Sequence, residues 1–481
     1  MHFSIPDTVE LKDRSGSSYL AYNLHINGSF HAAVRFSDLY HFNEQLKKNF
    51  GGKITATFPP RKILSLTAVQ VEERREQLEK YLQDVCQDTD VAYSSMFSGF
   101  LRNCQKEHSD ALAETVDLDV FLMNGNKIPL KIVSTDSTED VLEAAMAEIK
   151  LNENFVHYFA LFLIKREEDG EAAIVRKLQD YESPYLSIKN LQGTYRIAVR
   201  KYFWDSKLED KIMEDKIAMN LLYVQAVSDI ERGWVIGPKE AYSRLNELKQ
   251  SGSKKEYLRL ARMMKYYGFI QFKPCITNYP EENTRVLVSC GDRELNLRLQ
   301  TSDHKMQEGS FKVTRMRCWR ITSSNITTED GKKQENLELA FEYLLSKEHL
   351  QWITLYSEQA ILISMCLQSI VDEILRLKIG KPIKSAKKKS KTKSDSKYKR
   401  CNSVSSTASN EGEEEQKSSS SPPLPNATKT TPSPSPSTTQ KKKSQKQTQN
   451  FNYLPVPQNQ APQASNTKTN KVFEGIGDDD L

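Results

Sequence analysis

Nothing in this chain of 481 residues has the spacing of a catalytic or metal centre. Its seven cysteines are odd in number and never fall in Cys-x-x-Cys pairs, which argues against a disulfide framework or a zinc site and for a reducing compartment. The eight histidines are scattered, Gly51-Gly52-Lys53 lacks the spacing of a phosphate-binding loop, and no Ser, His and Asp set sits on an elbow motif. Neither an enzyme nor a cofactor is therefore expected. No secretory signal precedes Ile5, and no apolar run approaches the roughly 20 residues that span a bilayer. The expected location is the cytoplasm, with any membrane contact peripheral. At 38% hydrophobic residues the chain is lean, so two or three domains and an unfolded remainder are expected.

The net charge of +5 conceals an asymmetry, because residues 376–400 hold twelve Lys or Arg against one Asp. That run lacks aromatic interleaving, so a solvated linker is expected and nucleic acid is not. Over 380–469, Ser, Thr, Pro, Lys and Gln dominate, a composition that cannot build a core.

What the chain does have is a convergence of basic residues between 35 and 75. Arg35-Phe36-Ser37-Asp38-Leu39 is followed by Phe58-Pro59-Pro60-Arg61-Lys62-Ile63-Leu64 and then by Arg74-Arg75. Phe36, Leu39, Leu46 and Phe50 recur at spacings near three or four, which predicts a helix starting just after Arg35 with that arginine at its open N-terminal end. A second helix is predicted over Val69 to Leu82, with Val71, Leu78, Tyr81 and Leu82 on its apolar side. Two prolines hold the loop between them extended, so Arg61 and Lys62 sit at a fixed height. Arginine binds phosphate bidentately and lysine as a point charge, so the three basic sites suit one phosphorylated ligand. Ile63 and Leu64 read either as a tip that dips into a bilayer or as loop residues folded into a small core.

These ordered elements resemble a PX domain, the phosphoinositide-binding module of sorting nexins. The resemblance implies that Arg35 holds the 3-phosphate of phosphatidylinositol 3-phosphate, Phe36 packs under the inositol ring, Arg61 contacts the 1-phosphate and Arg74 the ring hydroxyls, with Ser37 and Lys62 completing the set. The family more often has Tyr at the Phe36 position and Lys at the Arg61 position.

Beyond the PX-like unit, Val116 to Met123, Asn124-Gly125 and Lys127 to Val133 predict a hairpin. Ser137-Thr-Glu-Asp140 predicts a capped helix after it, and strands follow over Tyr158 to Lys165 and Tyr195 to Arg200. From Asp205 to Gly268 the pattern is helical. From Phe269 the period returns to two, predicting strands that include one over Phe311 to Thr322. An amphipathic helix from Glu358 to about Leu377 closes the unit, with Ile361, Met365, Leu367, Ile370, Val371, Ile374 and Leu375 inward. A ubiquitin-like lobe, a helical lobe and a strand-rich lobe in this order resemble a FERM module.

PX followed by a FERM-like module resembles one subgroup of sorting nexins, to which Val227 to Trp234, Val313 to Ser324 and the ending Phe473-Glu-Gly-Ile-Gly-Asp-Asp-Asp-Leu481 also point. The expected fold class is α+β multidomain: PX over 1–108, a ubiquitin-like lobe over 114–202, a helical lobe over 203–268, a PTB/PH-like lobe over 269–379, a disordered linker over 380–469 and a partner-binding motif over 470–481. The resemblance implies an endosomal adaptor, peripheral on early endosomes, that binds Asn-Pro-x-Tyr or Asn-x-x-Tyr receptor tails, including those of the LDL-receptor family and integrins, and recycles them through the retriever complex. Trp319 would wall the peptide groove, and Val371 and Leu375 would floor it; read without the resemblance, all three are core residues. Retriever would take the tail residues Asn470, Phe473, Gly475, Ile476, Gly477, Asp478, Asp479, Asp480 and Leu481, with the Leu481 side chain and carboxylate captured together. Asn470-Lys471-Val472-Phe473 is itself an Asn-x-x-aromatic sequence, so the chain could occupy its own groove. A different reading, a linker from plasma membrane to cytoskeleton, predicts an actin-binding tail, whereas this one ends in acid and leucine.

Overall fold

The computed structural model describes residues 1–380 and 466–471, apart from 14, 63–65, 110–111, 167–171, 190, 192, 301–305, 328–332 and 347–348. Strands β1 (Phe3–Ser4), β2 (Thr8–Lys12), β3 (Ser18–Ile26) and β4 (Ser29–Arg35) form an antiparallel sheet centred on β3. The β3–β4 turn places Asn27 and Gly28 at φ +52° and +76°, the conformation that matches strand twist in a two-residue hairpin. The helix expected after Arg35 is α1 (Phe36–Phe50); Arg35 is its N-cap, extended and without a side-chain cap, which leaves the first amides open to an anion. The second expected helix, α2 (Ala68–Val85), starts from a capping box between Thr67 and Gln70. Short α3 (Thr89–Ala92) and α4 (Ser95–His108) complete this domain.

The ubiquitin-like lobe contains β5 (Thr115–Phe121), β6 (Lys127–Val133), α5 (Thr138–Glu148), β7 (Phe159–Arg166), β8 (Ala172–Lys177), α6 (Pro184–Lys189) and β9 (Tyr195–Lys201), in sheet order β6-β5-β9-β7-β8. The expected capping box between Ser137 and Asp140 is present. The first strand stops at Phe121 rather than Met123, because Leu122 to Asn126 form the turn: Leu122 N–H donates to Asn126 O at 2.8 Å and Gly125 N–H to Leu122 O at 2.9 Å. Helices α7 (Lys207–Ile212), α8 (Lys216–Glu231), α9 (Lys239–Gln250) and α10 (Lys254–Ala261) make the helical lobe.

The last lobe holds β10 (Ile270–Gln271), β11 (Cys275–Thr277), β12 (Thr284–Gly291), β13 (Glu294–Gln300), β14 (Met306–Lys312), β15 (Met316–Thr327), β16 (Lys333–Ser346) and β17 (His349–Tyr356), closed by α11 (Ala360–Lys378). A further strand, β18 (Asn466–Lys471), returns from the tail and adds to β15, giving the order β14-β13-β12-β11-β17-β16-β15-β18. The strand expected over Phe311 to Thr322 is divided by a 3-10 turn at Val313–Arg315. Buried Val313 pins that corner, and the chain crosses from one side of the sheet to the other. On α11, Ile361, Leu367, Ile370, Val371 and Ile374 are buried as expected, but Leu375 is 37% exposed.

The PX domain is keyed into the ubiquitin-like lobe. Tyr181 of that lobe is buried in the PX core, its ring 5.8 Å from His31. Gln105 on α4 accepts from Ser183 N–H at 2.8 Å and donates to Ser187 Oγ at 3.2 Å. Beneath it, Glu182 pairs with Arg176 at 2.5 and 2.8 Å and accepts from Ser187 Oγ. Burial alone would raise the Glu182 carboxyl, but Arg176 and the hydrogen bonds outweigh it and hold the carboxyl below its usual range. The depressed value gives the sign: the pair's stability is complete above the ordinary carboxylate range and is lost as pH falls below it, through the folded value. Glu182→Ala would strand a buried guanidinium and is expected to cost about 3–5 kcal/mol. The check is thermal unfolding of the full chain at neutral pH, where a melting temperature unchanged by Glu182→Ala would refute the assignment.

Among the described residues, no helix is long and apolar enough to cross a membrane, no group of three or more His, Cys, Asp or Glu could hold a metal ion, and the six described cysteines are free and buried.

Candidate functional site

Two sites emerge from the residues upward, a cationic one on the PX domain and a sheet edge on the last lobe. In the first, aromatic rings hold the arginines. The Arg35 guanidinium lies 3.3 Å from the Tyr19 ring centroid, Arg74 4.2 Å from Phe36, and Arg61 4.8 Å from Tyr40. Phe36, Tyr40 and Phe58 form one cluster with centroids 5.5 to 6.5 Å apart. Phe58 anchors the diproline loop edge-on against buried Tyr81 at 4.9 Å. Arg74 also donates to Pro60 O at 3.4 Å, tying α2 to the loop. The structure thus gathers Arg61, Arg74 and Phe36 around shared rings, with Arg35 one residue from Phe36 at the helix start.

None of Arg35, Arg61, Lys62 and Arg74 forms an ion pair among the described residues, and Lys62 is exposed. Cation–π contacts contribute about 0.5–2 kcal/mol each, enough to order the guanidiniums and less than a phosphate offers. Ser37 donates to Asp38 at 3.4 Å; burial pushes the Asp38 carboxyl up although Arg35 pulls it down. Ile63 and Leu64 lie outside the described residues, so their reading as a membrane tip stays an expectation.

Arg74 and Arg75 separate sharply. Arg75 is turned inward, donating to the Ile5 carbonyl and facing Glu72 at 2.5 Å, Glu76 at 3.6 Å and Glu79 at 3.7 Å. It is a lock on the N-terminal strand. Sequence reasoning did not find Tyr19 and Tyr40. Tyr40 stands four residues after Phe36 on α1, and Tyr19 lies two residues along β3 from Ala21, which faces Arg35. Buried Tyr22, whose hydroxyl burial pushes up while Arg74 pulls it down, was also not singled out.

At the second site, β15 pairs with β16 on one side and β18 on the other. In the β18 register Asn470 stands opposite Trp319, so an extended segment running through the tail's Asn lies along the strand that carries Trp319. With β18 in place Trp319 is fully buried, its indole N–H donating to Ser364 Oγ on α11 at 2.9 Å. Val371 is 2% exposed and Leu375 37%. Trp319 and Val371 therefore line the core beneath the edge, and Leu375 is the member of the trio that reaches the surface. Ser364 had no signal in the sequence. Of the tail set, Asn470 is described by its backbone; Phe473, Gly475, Ile476, Gly477, Asp478, Asp479, Asp480 and Leu481 lie outside the described residues.

Comparison with known proteins accounts for this arrangement lobe by lobe. The PX domain family matches residues 22–104. The sorting nexin 17/27/31 FERM F1 lobe matches 116–204, the sorting nexin 17/31 FERM F2 lobe 205–265, and the Sorting Nexin 17 FERM C-terminal domain 268–375. The chain is 48% identical to sorting nexin-17 of Danio rerio over 81% of its length and 84% of the relative's. It is 47% identical to sorting nexin-17 of Homo sapiens over 80% and 84%, and 35% identical to sorting nexin-31 of Homo sapiens over 78% and 86%.

Proposed function

The chain belongs to the sorting nexins that join a PX domain to a FERM-like module, and we propose that it is a non-enzymatic endosomal sorting adaptor. It binds phosphatidylinositol 3-phosphate through Arg35, Phe36, Ser37, Arg61, Lys62 and Arg74, which makes it a peripheral protein of early endosomes. It takes Asn-Pro-x-Tyr or Asn-x-x-Tyr receptor tails along β15, and its acidic ending hands them to retriever for return to the cell surface. The observation that carries this reading is the β15 edge, which accepts an extended strand with an Asn opposite Trp319. An unpaired edge offers main-chain donors and acceptors, and the helix beside it offers side-chain pockets.

The test follows from the exposures. A synthetic Asn-Pro-x-Tyr peptide is expected to bind the full chain with Kd near 1 μM, about −8 kcal/mol, reasonable for a strand addition that must order a flexible peptide. Because Leu375 is half-exposed, Leu375→Glu is expected to weaken binding about tenfold or more while the melting temperature holds. Trp319→Ala, which empties a buried site, is expected to cost roughly 3–5 kcal/mol of stability. Titration calorimetry paired with thermal unfolding checks both. Undiminished peptide affinity in Leu375→Glu would remove that residue from the groove.

A further inference from the structure

The backbone of β18 is a template for any strand laid along β15. Its register sets Asn470 opposite Trp319, Thr469 opposite Arg320, Lys468 opposite Ile321 and Thr467 opposite Thr322. Directly opposed residues of an antiparallel pair share a face of the sheet. Trp319 and Ile321 are buried in the core, so Arg320 belongs to the outer face, and the position that meets it is the residue immediately before the strand's Asn.

Arg320 is an under-used cation. It is half-buried, with its guanidinium 4.6 Å from the centroid of the Trp352 ring. Its Nε is buried without a hydrogen bond, and it has no ion pair among the described residues. Arg317, nearby on the same strand, is by contrast matched to Glu342 at 2.5 Å. The carboxylate that interacts with Arg320 is Glu338, which faces Thr322. Burial pushes the Glu338 carboxyl up while Arg320 pulls it down, and the two form no ion pair. Trp352 fixes the guanidinium in place, which limits the ordering a ligand would have to impose.

We infer that Arg320 reads charge at the residue directly preceding the Asn of an incoming Asn-Pro-x-Tyr strand, selecting an acidic side chain there, either a carboxylate or a phosphorylated hydroxyl. The inference rests on β15 being the peptide edge. A charge-assisted hydrogen bond to a half-buried guanidinium is stronger than the neutral bond it replaces, and salt screens it only in part.

Four peptides identical except at that position test it, carrying Gln, Glu, phosphothreonine or Lys, titrated into the full chain. The Glu peptide is expected to bind about five- to tenfold more tightly than the Gln peptide, and the Lys peptide more weakly than either. In Arg320→Gln the Glu and Gln peptides are expected to bind alike, and Arg320→Lys should restore part of the difference. A gain for both acidic peptides assigns the site to carboxylates as well as phosphate; a gain for the phosphopeptide alone assigns it to phosphorylated tails. Equal affinity of the unmodified chain for the Gln, Glu and phosphothreonine peptides overturns the inference, and needs no protein variant to be read. If a chain lacking 466–481 binds no Asn-Pro-x-Tyr peptide at all, the assignment of the edge itself has failed, and the role of Arg320 falls with it.

Discussion

Arg35→Ala is expected to abolish the chain's preference for liposomes containing phosphatidylinositol 3-phosphate over those with phosphatidylinositol. Arg35 is the N-cap of α1, whose first amides are open, and its guanidinium is held over Tyr19 without an ion pair among the described residues. A phosphate there would meet a helix N-terminus and a preset fork of donors. Removing one side of such a charge pair costs roughly 2–5 kcal/mol, or at least about thirtyfold in affinity. Little stability should be lost, because what Arg35 gives the unbound fold is one cation–π contact and attraction to Asp38 and Asp13 without an ion pair. Arg75→Ala is the contrast: it removes the lock on the Ile5 carbonyl and leaves Glu79 buried without its neighbour, so it should lower the melting temperature first. Co-sedimentation with liposomes, read beside thermal unfolding, separates the two. An Arg35→Ala chain that keeps its phosphatidylinositol 3-phosphate preference would refute the pocket.

That contrast marks where the sequence stops being legible. Local periodicity suffices for the start of α1, for the Asn27-Gly28 hairpin and for the capping box at Ser137 and Asp140, since each depends on residues within about one turn of one another. The closing helix was legible within a few residues for the same reason. Adjacent Arg74 and Arg75 read alike in sequence, yet α2 points one at the Phe36 ring and the other at the Ile5 carbonyl. Tyr181 gave no sign of belonging to the PX core, because its ring partner His31 comes from another domain. The Phe311 to Thr322 strand failed because alternation continues through Val313, a buried corner residue that is apolar for a reason other than strand pairing. At the β15 edge, the Asn-x-x-aromatic pattern was visible, while the register that sets Asn470 against Trp319 depends on which edge is open.

Deleting residues 466–481 is expected to raise the full chain's affinity for an Asn-Pro-x-Tyr peptide by about tenfold. In the structure β18 takes the edge proposed for the peptide, pairing Asn466–Lys471 with β15 from Ser323 to Cys318. The tie is intramolecular. About ninety residues join α11 to β18, and a random coil of that length would span roughly 50 Å, an effective concentration on the order of a few mM. A segment with an intrinsic Kd of only about 300 μM would then fill the edge most of the time, and cargo would meet a tenfold handicap. Phe473→Ala removes the aromatic of the Asn-x-x-aromatic sequence and should recover much of the same gain with the strand residues intact. The same ending is proposed for retriever, so partner binding and groove release are separable by a second change. A single glycine added after Leu481 displaces the terminal carboxylate from its leucine and should abolish retriever binding, while leaving β18 and cargo affinity as they are. If the truncated and full chains bind the peptide equally, β18 does not compete with cargo; if the glycine-extended chain still captures retriever, the terminal carboxylate is not what retriever reads.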